Sequence, residues 1–560
     1  MVTFNDSDQE KRVDFLKKRE EEELAQMLSH KYGVEYVDLS LVAVNVEALR
    51  LILEKDARDA EMVAFGEVGK KVSVAARSPR NPKVLEMVQK LTERGYIVTM
   101  FITSQESLKR AYDHYADLSY AKESKAGVFE ISGEEVENLL EKVESLQDIG
   151  TLINEAVTMK KAYRITRILE IILAGGLSTG ASDIHLEAEE TDVRLRYRLD
   201  GVLIDILTFD QETYHLVLSR LKLLSGLKLN VTHEAQDGRF SIKIKGKELE
   251  LRTSILPGNY AETFVMRILN PESIAVPLES LGLEPKLRER IEKEIAKPNG
   301  MILTTGPTGA GKTTTLYAFL RKVNSPDTKI ITIEDPVEYH LPGIVQTQVD
   351  KKNYTFAEGL RSVLRQDPDI IMVGEIRDGE VATTAINAAL TGHLVFSTLH
   401  TNDAAGSFPR LIDMGISEKV LSSAVSCAMA QRLVRKLCTQ CKQEREATPT
   451  EQTIIDRHLG TIVDRTLVPE NTHTLSVAKE GGCPACTGRG YKGRIGVYEA
   501  IFMDKAIEEV LRTKPSEHEI AAVARPQGVP TMQEDGVIKV LRGITSLDEL
   551  ERVVDLEATV

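Results

Sequence analysis

The 560-residue sequence has no apolar run long enough to cross a membrane, since none reaches the roughly 18 uninterrupted apolar residues that a spanning helix requires. Residues 1–15 are charged, which is not the pattern of a secretory signal. Cysteine is scarce, and five residues are too few for a disulfide scaffold. We therefore expect a cytoplasmic protein whose length allows two or three separate cores.

Positive charge is not in excess either. The chain has 71 lysines and arginines against 85 aspartates and glutamates, a formal net charge of −14. This balance argues against broad electrostatic binding to nucleic acid, although a local basic channel is compatible with it. The sequence gives no support to a helicase, and we expect no nucleic acid among the partners.

Hydropathy patterns divide the chain into four parts. The last part alternates short apolar strands with helices, as in a parallel sheet covered by helices. Strands with one polar face are predicted at 193–198 and 248–252. The predicted parts are an N-terminal α/β domain at 1–120, an acidic helical linker at 121–149, a second domain at 150–277 and a core domain at 278–560.

A glycine-rich segment follows the apolar run at 301–305 and leads into a helical pattern at 314–321. Its glycines let backbone N–H groups turn toward phosphates at the positive end of a helix. Lys312 is suited to reach the β and γ oxygens, and the Thr313 hydroxyl to ligate Mg²⁺. We predict an ATP or GTP site formed by Gly306, Pro307, Thr308, Gly309, Ala310, Gly311, Lys312, Thr313 and Thr314.

Two further apolar strands are followed by carboxylates. Glu338 comes shortly after the strand predicted at 329–335, and Glu375 ends the one at 369–375. In a doubly wound sheet such ends gather beside the phosphate loop, where Glu375 is a candidate for holding Mg²⁺ through water. A helix cap or a surface ion pair is the alternative for either carboxylate.

A third apolar strand carries a histidine at each end, His393 and His400. A neutral imidazole there can hydrogen-bond a phosphate oxygen or hold a catalytic carboxylate. A lone histidine is more often a structural residue. The residues alone leave both interpretations open.

Four of the five cysteines form two close pairs, and Cys427 stands apart as an expected buried thiol. Two thiolate pairs, each on a tight turn, suit tetrahedral Zn²⁺ with all four positions filled, which predicts a structural site. A redox pair is the competing interpretation, but no thioredoxin-like context surrounds them. The predicted zinc ligands are Cys438, Cys441, Cys483 and Cys486.

Together these motifs resemble those of the secretion ATPases that power type IV pilus assembly and type II secretion, the PilB and GspE family. The resemblance covers nearly the whole chain and includes segments 182–187, 194–201, 333–338, 371–378 and 391–401. It implies an α/β fold with a RecA-like P-loop NTPase core and a PAS-like second domain. It also implies an N-terminal α/β docking domain and a tetracysteine zinc subdomain at about 436–490.

The resemblance also implies roles for single residues. Glu338 would activate the attacking water and Glu375 would support Mg²⁺. His400 would take part in catalysis, and His393 in nucleotide binding.

Five arginines also match family positions. Arg252 and Arg267 would close over the γ-phosphate and neutralise charge on the transferring oxygens. One departure lies nearby, because Ala261 stands where the family usually has glycine. Three other arginines match family positions that a neighbouring subunit offers to the nucleotide, which implies a homohexamer. For the arginine closest to Glu375 in the sequence, an internal salt bridge is the alternative. These three are Arg361, Arg365 and Arg377.

Within the family that the chain resembles, the retraction motors lack both the extra N-terminal domain and the cysteine pairs, so the resemblance implies an assembly motor. We expect a hexameric Mg-ATPase that drives type IV pilus assembly through an inner-membrane platform protein, which would hold it at the cytoplasmic face of the membrane. Type II secretion is the alternative, and a hexameric DNA translocase is the alternative from another class, which the acidic charge disfavours. The N-terminal domain resembles a platform-docking or cyclic-di-GMP-binding module, but its first ligand-binding segment is not recognisable.

Overall fold

The computed structural model describes residues 21–39, 42, 44–49, 51–68, 70–113, 115, 122–124, 128–130, 145–159, 161–244, 247–270, 276–350, 354–513 and 515–557. The chain divides into two compact units. One comprises Met1–Lys122 with Asn154–Glu170, and the other Glu123–Ile153 with Ile171–Val560. Every helix within the described ranges is too short or too polar to span a membrane.

A four-stranded sheet organises the beginning of the chain. Strand β4 runs parallel to β1 and β3, while β2 is antiparallel to β3, in the order β1-β4-β3-β2. The elements are β1 Glu35–Tyr36, α1 Val46–Leu49, α2 Glu54–Ala60, β2 Met62–Val68, β3 Lys71–Ala76, α3 Pro82–Glu93, β4 Ile97–Ile102 and α4 Gln105–Asp113. They enclose a core of aliphatic and aromatic side chains, so this region is α/β as predicted.

A second, eight-stranded sheet has the order β5-β6-β10-β11-β12-β7-β8-β9. In β8, buried side chains alternate with more exposed ones, as predicted for a strand with one polar face. The elements are β5 Lys122–Ser124, β6 Val128–Glu130, α5 Leu146–Val157, α6 Lys161–Ser178, β7 Asp183–Ala188, β8 Asp192–Leu199, β9 Val202–Asp210, α7 Gln211–Leu224, β10 Gln236–Ile244, β11 Lys247–Leu256 and β12 Thr263–Leu269.

The segment predicted as an acidic helical linker differs from the structure where it is described. Strands β5 and β6 occupy part of it, and β6 pairs in parallel with β10. Backbone hydrogen bonds to a strand more than 100 residues later leave no local sequence pattern, so these two short strands were not predicted. The acidic residues at 134–144 lie outside the described residues.

A seven-stranded sheet forms the centre of the core domain. Its order is β15-β14-β16-β17-β13-β18-β21, with six parallel strands and β21 antiparallel to β18. Every residue of β14, β16 and β17 is buried, as expected where helices cover both faces of a parallel sheet. Its strands are β13 Gly300–Thr305, β14 Ile330–Glu334, β15 Val345–Gln348, β16 Ile370–Val373, β17 Leu394–Leu399, β18 Val425–Leu437 and β21 Tyr491–Phe502.

A two-stranded ribbon, β19 Gln443–Glu446 with β20 Thr474–Val477, is inserted between β18 and β21. Because β13, β14, β16 and β17 run in the same direction, the segments that follow them meet at one edge of the sheet. The helices of this domain are α8 Pro285–Ile295, α9 Lys312–Val323, α10 Phe356–Val363, α11 Gly379–Leu390, α12 Ser407–Asp413, α13 Glu418–Ala424, α14 Pro449–Thr461, α15 Lys505–Leu511, α16 Glu517–Ala524, α17 Met532–Leu541 and α18 Leu547–Glu551.

Candidate nucleotide site

The phosphate loop, residues 306–313, joins β13 to helix α9. Gly306, Gly309 and Gly311 have φ values of 144°, 81° and 90°, a region in which glycine is favoured. A Cβ added at Gly306 would lie 2.6 Å from the Gln431 carbonyl oxygen, so the close approach also requires glycine. Gly311 is the N-cap of α9, and the first N–H groups of the helix are therefore free to face a phosphate.

Lys312 lies against the inside of this loop. Its Nζ donates to the carbonyl oxygens of Gly306 at 2.8 Å and Pro307 at 3.1 Å. Burial lowers the pKa of Lys312, while the nearby carboxylate of Glu375 acts in the opposite direction. The ammonium group is thus held among backbone acceptors that phosphate oxygens can replace.

His400 and Arg377 converge on the carboxylate of Glu375. His400 Nε2 lies 3.3 Å from Glu375 Oε2, and the Arg377 guanidinium pairs with Glu375 and lies 3.8 Å from Asp335. Burial acts to raise the pKa of Glu375, but Arg377 and His400 outweigh it and the pKa lies below its ordinary value. An ionised carboxylate near the phosphate loop suits a hydrated Mg²⁺. In this chain Arg377 forms the internal salt bridge that was the alternative to a role in a neighbouring site.

Arg252 extends from β11 of the second sheet to the segment after β14. Its Nη2 donates to the Val337 carbonyl oxygen at 2.6 Å, and its Nη1 lies 3.5 Å from Glu338 Oε2. The Arg252 and Glu338 side chains are 28% and 30% exposed, so water can reach the carboxylate. The structure thus brings together the predicted water-activating glutamate and one of the two predicted phosphate arginines.

Arg267 lies directly opposite Arg252 in the antiparallel pair of β11 and β12. Its Nε donates to Asp183 Oδ1 at 3.0 Å, and 60% of its side chain is exposed. The two arginines therefore share a face of the sheet, but only Arg252 contacts the segment that carries Glu338.

His393 is not brought to the phosphate loop. It precedes β17, whereas His400 follows it, so the two histidines lie at opposite edges of the sheet, about 23 Å apart for seven residue steps along a strand. The ring Nδ1 of His393 forms a hydrogen bond with the Ala388 carbonyl oxygen at 3.0 Å. Within this chain the structure gives His393 a structural position and no contact with the loop.

Arg361 and Arg365 lie on and just after α10 with exposed side chains. Arg361 pairs with Glu380 at 2.5 Å, and Arg365 donates to the Ser362 hydroxyl at 3.2 Å. Because both side chains are exposed, both guanidinium groups are accessible from outside the chain.

Gln431 and Arg432 were not predicted as site residues but flank the phosphate loop. Gln431 Nε2 donates to the Ala310 carbonyl oxygen at 2.7 Å, and Arg432 Nη2 donates to that of Asn402 at 3.1 Å. In the pairing of β13 with β18, Thr305 lies opposite Ala430. Gln431 and Arg432 come directly after Ala430, just as the phosphate loop comes directly after Thr305. The sequence contains the strand pattern, but the adjacency of β18 to β13 cannot be derived from chain order.

The four predicted zinc ligands form one cluster. Their sulfur atoms all lie within 4.8 Å of one another, and three of the pairs are 3.8 Å apart. Four sulfurs about 2.3 Å from a central ion would form a tetrahedron with edges of about 3.8 Å. The chemistry and spacing of the donors therefore fit zinc. The set is Cys438, Cys441, Cys483 and Cys486.

Two backbone N–H groups, of Cys483 and Gly490, donate to Cys486 Sγ at 3.2 Å each. Burial acts to raise the pKa of the Cys486 thiol, but these donors and the neighbouring sulfurs bring it to about 6. The thiolate that zinc requires is thus favoured by the turn itself. Cys427 is fully buried elsewhere in the core, as predicted, and burial raises the pKa of its thiol.

A family model described as "Type II/IV secretion system protein" matches residues 158–552. This range includes the phosphate loop, Glu338, Glu375 and all four clustered cysteines. The chain belongs to this family of type II/IV secretion system proteins. A second model, the MshEN domain, matches residues 32–121.

Two similar proteins carry different names. The chain is 44% identical over 390 residues to "Type II secretion system protein E" of Pseudomonas aeruginosa, covering 70% of this chain and 75% of that protein. It is 35% identical over 534 residues to "Type IV pilus assembly ATPase PilB" of Myxococcus xanthus, covering 95% and 91%. The predictions of the family and of ATPase activity are confirmed, and the chain is a secretion ATPase.

A solved structure agrees in fold. The X-ray structure of the Yersinia pseudotuberculosis ATPase DotB aligns with 71% of this chain and 94% of that chain, with a TM-score of 0.51 and 20% identity. With the sheet order and the cysteine cluster, it confirms the predicted fold class.

Proposed function

We propose that this secretion ATPase is a Mg²⁺-dependent motor that hydrolyses ATP to drive type IV pilus assembly. The main support is its full-length similarity to a pilus assembly ATPase, over 95% of this chain and 91% of that protein. That similarity extends into the N-terminal region matched by the MshEN model. The contact between Arg252 and Glu338 supports the hydrolytic part of the proposal.

In this mechanism the phosphate loop binds the triphosphate. Backbone N–H groups of the loop and of the first turn of α9 donate to the phosphate oxygens, and Lys312 exchanges its carbonyl partners for the β and γ oxygens. Thr313 and Glu375 are the residues that would hold Mg²⁺, which when bound neutralises charge on the triphosphate. His400 keeps Glu375 oriented through the contact between their side chains.

Glu338 performs the chemical step. Its carboxylate accepts a proton from the water that attacks the γ-phosphorus, while the bond from the γ-phosphorus to the β–γ bridging oxygen breaks and ADP leaves. Glu338 lies in the same segment as the carbonyl that Arg252 holds. Arg252 and, after release from Asp183, Arg267 neutralise the charge that develops on the γ oxygens. The second domain thus contributes to the site and senses whether the γ-phosphate is present.

The proposed assembly is a homohexamer. Arg361 and Arg365, both exposed in the single chain, would be offered to the site of the neighbouring subunit, whereas Arg377 is held by Glu375 of its own chain. The ring would bind an inner-membrane platform protein at the cytoplasmic face of the membrane, so its membrane association would depend on partners. The zinc site shapes a surface of the core domain rather than a reaction centre, because all four positions are filled.

Type II secretion is the second candidate function. The 44% identity to a type II secretion protein E, higher than that to the pilus ATPase, favours it over the 70% of this chain that aligns. Disruption of the gene in its own organism separates the two. Loss of surface pili with normal protein export supports pilus assembly, and the reverse phenotype supports secretion.

A biochemical experiment tests the motor itself. Purified protein is expected to hydrolyse ATP with Mg²⁺, and Glu338→Gln to lower turnover by at least about 100-fold while nucleotide affinity persists. Glu289→Gln, which removes an exposed carboxylate on α8, serves as the matched control and keeps full turnover. Strong stimulation by added DNA would instead favour a translocase.

A further inference from the structure

The turn between β8 and β9 contacts residues 483–493 of the core domain, which we call the cysteine-bearing segment because it includes Cys483 and Cys486. Asp200 and Gly201 occupy its two central positions, with φ values of 51° and 88°, and Leu199 pairs with Val202 across it. Asp-Gly is a favoured pair for such two-residue hairpin turns, since both positions need positive φ. The turn therefore has a defined shape and presents the Asp200 carboxylate at a fixed place.

The Asp200 carboxylate binds two donors of the cysteine-bearing segment. Arg489 Nη1 lies 2.8 Å from Asp200 Oδ2, and the Gly493 N–H donates to the same oxygen at 3.2 Å. Only 17% of the Asp200 side chain and 11% of the Arg489 side chain are exposed. At this depth solvent screens the pair weakly, so it is a stronger contact than a surface salt bridge.

Arg489 is itself held by the turn that carries Cys486. Its Nε donates to the Cys486 carbonyl oxygen at 3.3 Å and lies 3.2 Å from the Thr487 hydroxyl. Its backbone N–H also donates to the Cys486 carbonyl oxygen, at 3.1 Å. The guanidinium group is thus fixed by the same tight turn that supplies two of the four clustered thiols.

Within the described residues, polar contacts join the second sheet to the core domain at two places. One is Arg252 with the Val337 and Glu338 segment, and the other is Asp200 with Arg489. In the sheet order, β12 and β7 lie between the strand of Arg252 and β8, and all of these strands are hydrogen-bonded in register. Fixing the β8–β9 turn consequently limits the positions that Arg252 can reach.

We propose that Asp200 and Arg489 are positioning residues that dock the second domain on the cysteine cluster and so place Arg252 beside Glu338. The inference rests on the proposed ATPase mechanism for its kinetic consequence. Its structural part, the docking of the turn, is independent of catalysis. Zinc, where bound, would hold the Cys486 turn that carries Arg489.

The structural part is tested by hydrogen exchange in the full chain. Asp200→Asn keeps the turn, because Asn-Gly also favours positive φ, and Arg489→Gln removes the guanidinium. Each variant is expected to speed amide exchange in residues 196–205 by about tenfold, and the double variant no further. Lys492→Ala, which removes an exposed cation at the start of β21, serves as the control. Unchanged exchange in both single variants, or fully additive effects, overturns the docking.

The kinetic part is tested by turnover in two backgrounds. In the otherwise native chain Asp200→Asn is expected to lower kcat by about tenfold with little change in KM, because Arg252 acts on the transition state. In the Arg252→Ala background the same substitution should have no further effect. An equal fall of kcat in both backgrounds overturns the positioning role.

The metal content of the same samples separates this inference from the zinc proposal. We expect Asp200→Asn and Arg489→Gln to retain about one zinc ion per chain. Loss of metal from Asp200→Asn would contradict docking, since the contact would then belong to the folding of the metal site. A metal-free native chain that keeps the slow exchange of residues 196–205 would overturn the zinc proposal and leave the docking supported.

Discussion

Lys222, on helix α7, and Glu262, which immediately precedes β12, form a buried ion pair in the second domain. Lys222 Nζ lies 2.6 Å from Glu262 Oε2, and the two side chains are 3% and 8% exposed. Lys222 also donates to the Val231 carbonyl oxygen at 3.1 Å. The pair holds the start of β12, the strand that carries Arg267.

Replacement of Lys222 by Met is expected to destabilise the protein by about 3–5 kcal/mol, because the carboxylate of Glu262 remains buried without its cation. Unfolding in urea, followed by circular dichroism, measures the change. Lys228→Met, at an exposed position on the same segment, is the matched control and should shift the midpoint little. The double variant Lys222→Met with Glu262→Leu should recover most of the loss, and a double variant as unstable as the single one would contradict the explanation.

Local chemistry made several residues of the site predictable. Glu338, Glu375 and Lys312 were found because each follows a strand or a glycine turn with a recognisable pattern, and their roles remain predictions. The two histidines differ in their position relative to β17. His400 follows the strand and lies at the edge of the sheet that carries the phosphate loop, whereas His393 precedes it. The alanine at position 261, where the family usually has glycine, is explained by the turn itself. The position that requires glycine is Gly258, where an added Cβ would lie 2.4 Å from the Ala261 carbonyl oxygen.

Among the helices, α14 begins in a capped turn that depends on an ionised carboxylate. Thr448 and Glu451 form a capping box, and Arg445 contacts both Glu451 oxygens at 2.5 and 2.7 Å. The Arg445 hydrogen bonds, followed by the Thr448 donors, outweigh burial and lower the pKa of Glu451 from 4.5 to about 2. The folded helix therefore prefers the charged form more strongly than the unfolded chain does.

This difference in pKa predicts a pH dependence of stability. A folded pKa below the unfolded value stabilises the protein above about pH 4.5, and the contribution is lost as the pH falls toward about 2. Glu451→Gln should therefore be less stable than the native chain by a constant amount between about pH 7 and 5, and the gap should narrow below about pH 4.5. Thermal unfolding across this range measures it, and a gap that widens on acidification would contradict the assignment.

The elements were predictable where their patterns are local. The buried runs that became β13, β14, β16 and β17 and the helix after the phosphate loop lie within a few residues of the predicted positions. Pairing between distant segments was not predictable, as β5 and β6 in the expected helical linker and β18 beside the phosphate loop demonstrate. Such contacts depend on the whole sheet rather than on any one segment.

The whole molecule, as proposed, is a ring in which some arginines act on the neighbouring site and others on their own. Arg252 contacts Glu338 of the same chain, whereas Arg361 and Arg365 are exposed and contact Glu380 and Ser362. The two groups should behave differently when two inactive variants are mixed in one ring. An intact subunit can supply a missing arginine to its neighbour's site only if that arginine acts between subunits.

Mixing Glu338→Gln with Arg365→Ala subunits is expected to restore activity. A site in an Arg365→Ala subunit keeps its glutamate and receives the arginine of a Glu338→Gln neighbour, so about one quarter of the sites in a random ring become complete. Mixing Glu338→Gln with Arg252→Ala is the matched control and should restore nothing, since both residues belong to one chain. ATP turnover after co-assembly measures both mixtures. Recovery in the control alone, or in neither mixture, would contradict the assignment of Arg365 to the neighbouring site.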